Sequence, residues 1–183
     1  MKMKSVMLIM LLFAGIFAST AQATTLPDAC GSDNVAFQVT LKNGQPASLS
    51  PAAGKALIVF IETSTKSGRW TPFGSSTDFT VRFGLDGEWV GATGNKSYFT
   101  VDVAPGEHHL CVSAQGSGHA KSMIGAKSFT AEAGKVYFYE FKIENQLDGQ
   151  GFNHYSSGFS KLDDDEGSFR VKAYAVSAFT QRP

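Results

Sequence analysis

Apolar residues recur at every second position along most of this chain. Val35, Phe37, Val39 and Leu41 alternate with Ala36, Gln38 and Thr40, and Phe79, Val81, Phe83 and Leu85 with Thr80, Arg82 and Gly84. Phe99, Val101 and Val103 alternate with Thr100 and Asp102, while Tyr137, Tyr139, Phe141 and Ile143 oppose Val136, Phe138, Glu140 and Lys142. Successive side chains of a strand point to opposite faces, so this period predicts strands with one face on a core and one in water. Residues 56–61 (ALIVFI) are apolar at every position, which predicts a central strand covered on both sides.

Turn residues separate these runs. Asp86-Gly87 stands between two strand candidates and supplies the positive φ that a type I′ hairpin turn requires. Pro105-Gly106-Glu107 divides residues 99–103 from residues 108–114, and Ala133-Gly134 precedes the run that starts at Val136. About seven to eight short strands punctuated in this way predict an all-β fold. The architecture expected is an antiparallel β-sandwich, immunoglobulin-like or prealbumin-like. Near the C-terminus, residues 163–166 (DDDE) suit the acidic first turn of a helix, with Phe169, Ala173 and Val176 on one face. The same stretch alternates as a strand would, with Phe169, Val171 and Ala173 against Arg170 and Lys172; a short helix packed on the sheet is the preferred reading.

Two stretches lack periodicity. Residues 63–78 are Ser/Gly-rich and carry Lys66, Arg69, Trp70 and Phe73; residues 144–161 are rich in Gly, Ser and Asn and carry Phe152, His154, Tyr155 and Phe159. Loops longer than about 12–15 residues are uncommon in compact domains and are often functional. Both stretches are therefore expected to be long loops at an end or edge of the sandwich, where function would sit.

The first residues change the picture by giving the chain an address. Lys2 and Lys4 form a basic start, residues 6–17 are an apolar run, and Ala21-Gln22-Ala23 places small residues before a cleavage point. A spanning helix needs about 20 apolar residues, so the run is expected to be a secretory signal cleaved after Ala23. The expected mature chain is a single domain, residues 24–183, periplasmic or secreted. Pro27-Asp28-Ala29 before Cys30 is not a lipobox, so no lipid anchor and no membrane span are expected in it. The chain has 16 Lys and Arg against 16 Asp and Glu; losing Lys2 and Lys4 leaves 14 against 16, a net of −2. That balance lacks the basic footprint of a nucleic-acid binder or an anionic-lipid binder.

Cys30 and Cys111 are the only cysteines, and an exported chain can oxidise them. A bridge between them is the preferred reading, with two thiols as the alternative; it would be worth about 4–5 kcal/mol if chain entropy sets the effect. Neither sits in a C-x-x-C pair, so a redox role has little support.

The order of motifs also carries a resemblance. Residues 54–59 (GKALIV) are followed by residues 82–91 (RFGLDGEWVG), by Ser97-Tyr98-Phe99, by residues 104–110 (APGEHHL) and by residues 133–138 (AGKVYF). This succession resembles the bacterial domain of unknown function 2846 family and, more loosely, PEGA-type surface modules. It covers about residues 52–143, roughly half the chain. The resemblance implies a β architecture and an exported compartment; the motifs are turn and core positions, so no catalytic residue comes with them.

Candidate chemistry is sparse. His108 and His109 are neighbours on a predicted strand and so face opposite ways, one toward the core rim and one toward water, which does not suit a shared metal. His119 and His154 are distant from them. Residues 163–167 (DDDEG) lack the D-x-D-x-D-G spacing and the distal Glu of a calcium loop. No serine stands in a G-x-S-x-G elbow or an S-x-x-K pair. Neither a metal nor a cofactor is expected. Most Phe and Tyr fall at alternating core positions. Trp70 and Phe73 beside Arg69, and Phe152, His154 and Tyr155, are the residue types enriched at binding hot spots. The expected function is a non-catalytic module that touches another envelope protein or a cell-surface polymer through these residues. A carbohydrate or small-ligand binder and a small hydrolase or metal-dependent enzyme are the alternatives.

Overall fold

The computed structural model of this chain describes residues 27–43, 48–64, 79–116, 120, 122–147, 150 and 153–182. The segment read as a signal, and Arg69, Trp70, Phe73, His119 and Phe152, lie outside the described residues. Those described form ten strands and one helix: β1 (Phe37–Lys42), β2 (Ala56–Ser64), β3 (Thr80–Leu85), β4 (Glu88–Thr93), β5 (Ser97–Val103), β6 (Gly106–Gln115), β7 (Ile124–Ala131), β8 (Val136–Leu147), β9 (Asn153–Leu162), α1 (Asp164–Ala173) and β10 (Ala175–Gln181).

The strands make two sheets, ordered β1-β10-β5-β2-β8-β9 and β4-β3-β6-β7. The four-stranded sheet is antiparallel throughout. The six-stranded sheet is mixed, because β2 and β8 run parallel from Leu57↔Val136 to Ser64↔Ile143, and β10 meets β5 in parallel. The expectation of a purely antiparallel sandwich is corrected here. Alternation reports which face a residue takes but not the direction of the neighbouring strand. Between β2 and β8 the chain visits the other sheet twice, so β8 returns beside β2 pointing the same way.

The sheets face each other across one core. Phe60 of β2 lies 4.9 Å from Phe83 of β3 and 5.3 Å from Phe99 of β5, ring to ring. A second cluster occupies the other face of the larger sheet, where Leu57, Val59, Ile61, Tyr98 and Phe138 meet Val171 of α1. Residues 56–61 are consequently buried on both faces, as their unbroken apolar run predicts, and burial continues through the polar Glu62, Thr63 and Ser64. Burial also raises the Tyr139 phenol, pushing its pKa up to about 12, with Tyr137 nearby adding to the effect.

The helix is present and starts one residue later than expected: Asp163 is its N-cap, accepting the Glu166 N–H at 2.8 Å, and Asp164, Asp165 and Glu166 fill the first turn. Its buried face differs from the expected one. Gly167 and Val171 face the sheet, Phe169 is 64 % exposed, and Val176 belongs to β10. The backbone at Gly167 sits against the Phe138 ring, an approach that a side chain would prevent. Close contact through a glycine, rather than the count of apolar residues, therefore selects the face.

In the stretch 144–161, expected as a loop, residues 144–147 and 153–161 are strand. β8 runs on to Leu147 and pairs with β9 from Leu147↔Asn153 back to Phe138↔Leu162. Tyr155 and Phe159 of β9 pack on the inter-sheet core, while the positions between them are Ser and Gly, which mute the alternation.

Residues 27–36 cross the outer face of the four-stranded sheet as a strap. Cys30 and Cys111 form the expected disulfide, Cα to Cα 5.1 Å. The Arg82 guanidinium donates to the carbonyls of Val35 at 2.7 Å and Asp33 at 3.2 Å and lies 4.4 Å over the Trp89 ring. Trp89 Nε1 donates to the Ser32 carbonyl at 2.7 Å.

Candidate functional site

The strand directions gather several chain turns at one end of the molecule. Because β2 and β8 are parallel, Ser64 and Ile143 lie side by side where β2 stops. β5 begins there, with Ser97 opposite Glu62, and β10 begins there, with Ala175 opposite Ser97. β9 also starts at this end, opposite Leu147, and β4 finishes there, with Thr93 opposite Val81. Phe79, where the described chain resumes before β3, places its ring 5.6 Å from Tyr155, edge to face. Ser64 and Phe79, which bracket residues 65–78, thus lie beside Ile143 and Tyr155 of the β8–β9 hairpin.

Polar groups are concentrated at the same end. Glu62 is fully buried and accepts a hydrogen bond from the Ser64 hydroxyl. On the opposite face of the sheet, Thr63 Oγ1 lies 2.6 Å from Glu140 Oε1 and 3.1 Å from the Tyr174 oxygen. The single proton of the threonine goes to the carboxylate, and the Tyr174 hydroxyl then donates to Thr63. Arg170 of α1 donates to the Tyr174 oxygen at 3.1 Å and to Glu166 at 2.9 Å, and its Nε lies 3.4 Å from Glu140 as an ion pair. Burial lowers the Arg170 pKa, but Glu140, Tyr174 and Glu166 together outweigh it and leave the guanidinium more firmly protonated than usual. One wall is therefore a carboxylate held by Thr63 and Arg170, both of which are in turn tied to Tyr174.

Beyond Glu140 a groove of about 300 Å³ runs along the β8–β9 hairpin, lined by Glu140, Lys142, Glu144, Ser156, Gly158 and Ser160 among others. Cross-strand register explains the set: Glu140 faces Ser160, Lys142 faces Gly158 and Glu144 faces Ser156. Lys142 Nζ bonds Glu144 at 2.6 Å, which raises the lysine pKa. The groove offers carboxylate acceptors, an ammonium donor and hydroxyls on a rigid hairpin. Those groups can hydrogen-bond a polar ligand or the backbone of another chain.

Of the residues named from sequence, His154 is exposed on β9 opposite Gln146, while Tyr155 is half-buried against the inter-sheet core. His108 and His109 divide as expected: the first side chain is 12 % exposed and the second 59 %. Among the described residues, no group of three His, Cys, Asp or Glu is arranged to hold a metal. Sequence reading missed Glu62, Thr63, Glu140, Arg170 and Tyr174. The signal available was an acidic residue in each of two strands whose other positions are mostly apolar, since a buried carboxylate needs a partner. Comparison with family models, with curated proteins and with solved structures finds no match for this chain.

Proposed function

We propose that this protein is an exported, non-catalytic module of the bacterial cell envelope that works by contact with another envelope protein or a surface polymer. The observation that carries the reading is that Ser64 and Phe79, the described residues on either side of 65–78, lie beside Ile143 and Tyr155 of the β8–β9 hairpin at one end of the sandwich. The Cys30–Cys111 disulfide supports an oxidising compartment, in keeping with the signal-like start. The turn and core motifs that resemble the domain of unknown function 2846 family support the same address and a sandwich of the immunoglobulin-like or prealbumin-like kind. Arg69, Trp70, Phe73, Phe152, His154 and Tyr155 supply the proposed contacts.

A photoreactive residue in place of exposed His154, compared in cells with one in place of exposed Lys135 at the opposite end, tests the reading. A dominant macromolecular adduct from position 154 and none from 135 is expected. No adduct from 154 in abundant folded protein, or the same adducts from both positions, overturns it.

A second reading, a carbohydrate or small-ligand binder, is favoured by the polar groove beside Glu140. It predicts a glycan-dependent change in the amide spectra of Lys142, Ser156 and Ser160, which a purely macromolecular contact does not.

A further inference from the structure

At the end of the sandwich opposite the proposed contact surface, one titratable cluster takes no part in that function. His108, near the start of β6, has Nδ1 2.6 Å from Asp86 Oδ2 and Nε2 2.7 Å from the Ala104 carbonyl oxygen. Its ring lies 5.8 Å from Phe129 of β7. The other Asp86 oxygen accepts the His109 N–H at 2.8 Å, and the Asp86 N–H donates to the His109 carbonyl at 2.8 Å. Both nitrogens of one imidazole thus face acceptors, and only the imidazolium carries a donor for each.

We propose that His108 is a proton-dependent clasp: as an imidazolium it ties the β3–β4 turn at Asp86 to the β5–β6 crossover at Ala104, and loss of its proton releases the crossover. The neutral ring keeps a single N–H. A carboxylate is the stronger acceptor, so that N–H stays on Nδ1 toward Asp86. The Nε2 lone pair is then left against the Ala104 oxygen, and the contact turns repulsive. The crossover carries the chain from the six-stranded sheet to the four-stranded one. The turn it is clasped to also receives the strap, through the Gly87 N–H on the Ala29 carbonyl at 3.2 Å.

The surroundings favour the charged form. On its own strand Glu107 and His109 point to the other face, 3.8 Å from each other. The β3–β4 turn brings Asp86, with Glu88 opening β4. β7 brings the apolar Phe129, with Lys127 on the same side, and β8 brings the Tyr137 ring behind Phe129 at 5.0 Å. Burial lowers the His108 pKa, but the Asp86 hydrogen bond, the Ala104 carbonyl and the Asp86 charge together carry it above the ordinary 6.5. Burial likewise raises Asp86, and the bonds from the His109 N–H and His108 outweigh it, holding that carboxyl below 3.8. The clasp is therefore closed in mildly acidic medium. It opens as pH rises through the raised His108 value, and also as pH falls through the depressed Asp86 value.

Histidine-selective NMR titration of the oxidised, folded protein tests this, read together with amide exchange corrected for its intrinsic pH dependence. The His108 ring is expected to titrate above 6.5, with exchange at Gly106 and Glu107 speeding up several-fold across the same transition. His108→Gln is expected to abolish that transition in exchange. Asp86→Asn keeps a residue tolerant of the turn's positive φ and is expected to move the His108 titration downward. Should His108→Gln not fold, the wild-type titration and Asp86→Asn still decide. A ring that titrates at or below 6.5, or a crossover whose exchange ignores the titration, overturns the proposal.

Discussion

Replacing Gly167 by Ala sets two effects of opposite sign against each other. In an exposed helix interior Gly→Ala is worth about 1 kcal/mol in favour of the helix. At this position a Cβ would lie 2.5 Å from both Cδ atoms of Phe138, closer than carbon atoms tolerate. Phe138 is 3 % exposed and packed among Leu57, Val59 and Ile61, so the ring has little room to yield. Forcing a methyl into such a contact costs about 1–3 kcal/mol, and moving α1 outward instead exposes Val171. Overpacking therefore wins, and G167A is expected to destabilise by about 1 kcal/mol in urea denaturation with an unchanged slope. Phe138→Leu, which removes ring volume, is expected to cancel most of that loss. The resulting coupling of about 1 kcal/mol in a double-mutant cycle is the diagnostic quantity. A G167A protein that gains about 1 kcal/mol would show that α1 does not rest on Phe138 and would sink the packing argument.

The strap gives two more tests. Removing the disulfide with C30A/C111A frees an 81-residue separation in the unfolded chain and is expected to cost about 4–5 kcal/mol in chemical denaturation; a loss below about 1 kcal/mol would refute the chain-entropy account. Arg82→Ala leaves the Asp33 and Val35 carbonyls without their donor and is expected to cost about 2–4 kcal/mol, with faster proteolysis near residues 33–35. Unchanged proteolysis there would mean that the guanidinium does not hold the strap.

Most of the layer structure was legible in the chain because it depends on residue period. The doubly apolar run 56–61, the Asp86-Gly87 turn and the two faces of β8 each read directly onto the observed fold. Direction was not legible: the same alternation serves a parallel or an antiparallel neighbour, so the β2–β8 pair left no mark. Nor was β9, where the three residues between the inward Tyr155 and Phe159 are Ser156, Ser157 and Gly158, which leaves no apolar alternation to read. For the site, His154 and Tyr155 were reachable as residue types. The Thr63–Glu140–Arg170–Tyr174 network was not, because it joins three elements through side chains up to 111 positions apart in sequence.

The two ends of the sandwich are built on different physical terms, and the difference bears on where a partner can act. At the clasped end the connections are short and cross-tied by the disulfide and by Asp86 on both His108 and the His109 N–H. These ties fix the strands at one end, and the sheets carry that order to the other. A partner arriving beside Ser64 and Tyr155 therefore meets strand ends already in register and spends little of its binding energy on ordering them. The ends are also separable by experiment. Opening the clasp by raising pH changes the crossover at Ala104, while the Glu140–Arg170 pair lies at the other end and shares no hydrogen bond with Asp86, His108 or Ala104. Cross-linking from position 154 is accordingly expected to persist across the His108 transition. A yield that fell in step with that transition would mean the two ends share one conformational equilibrium.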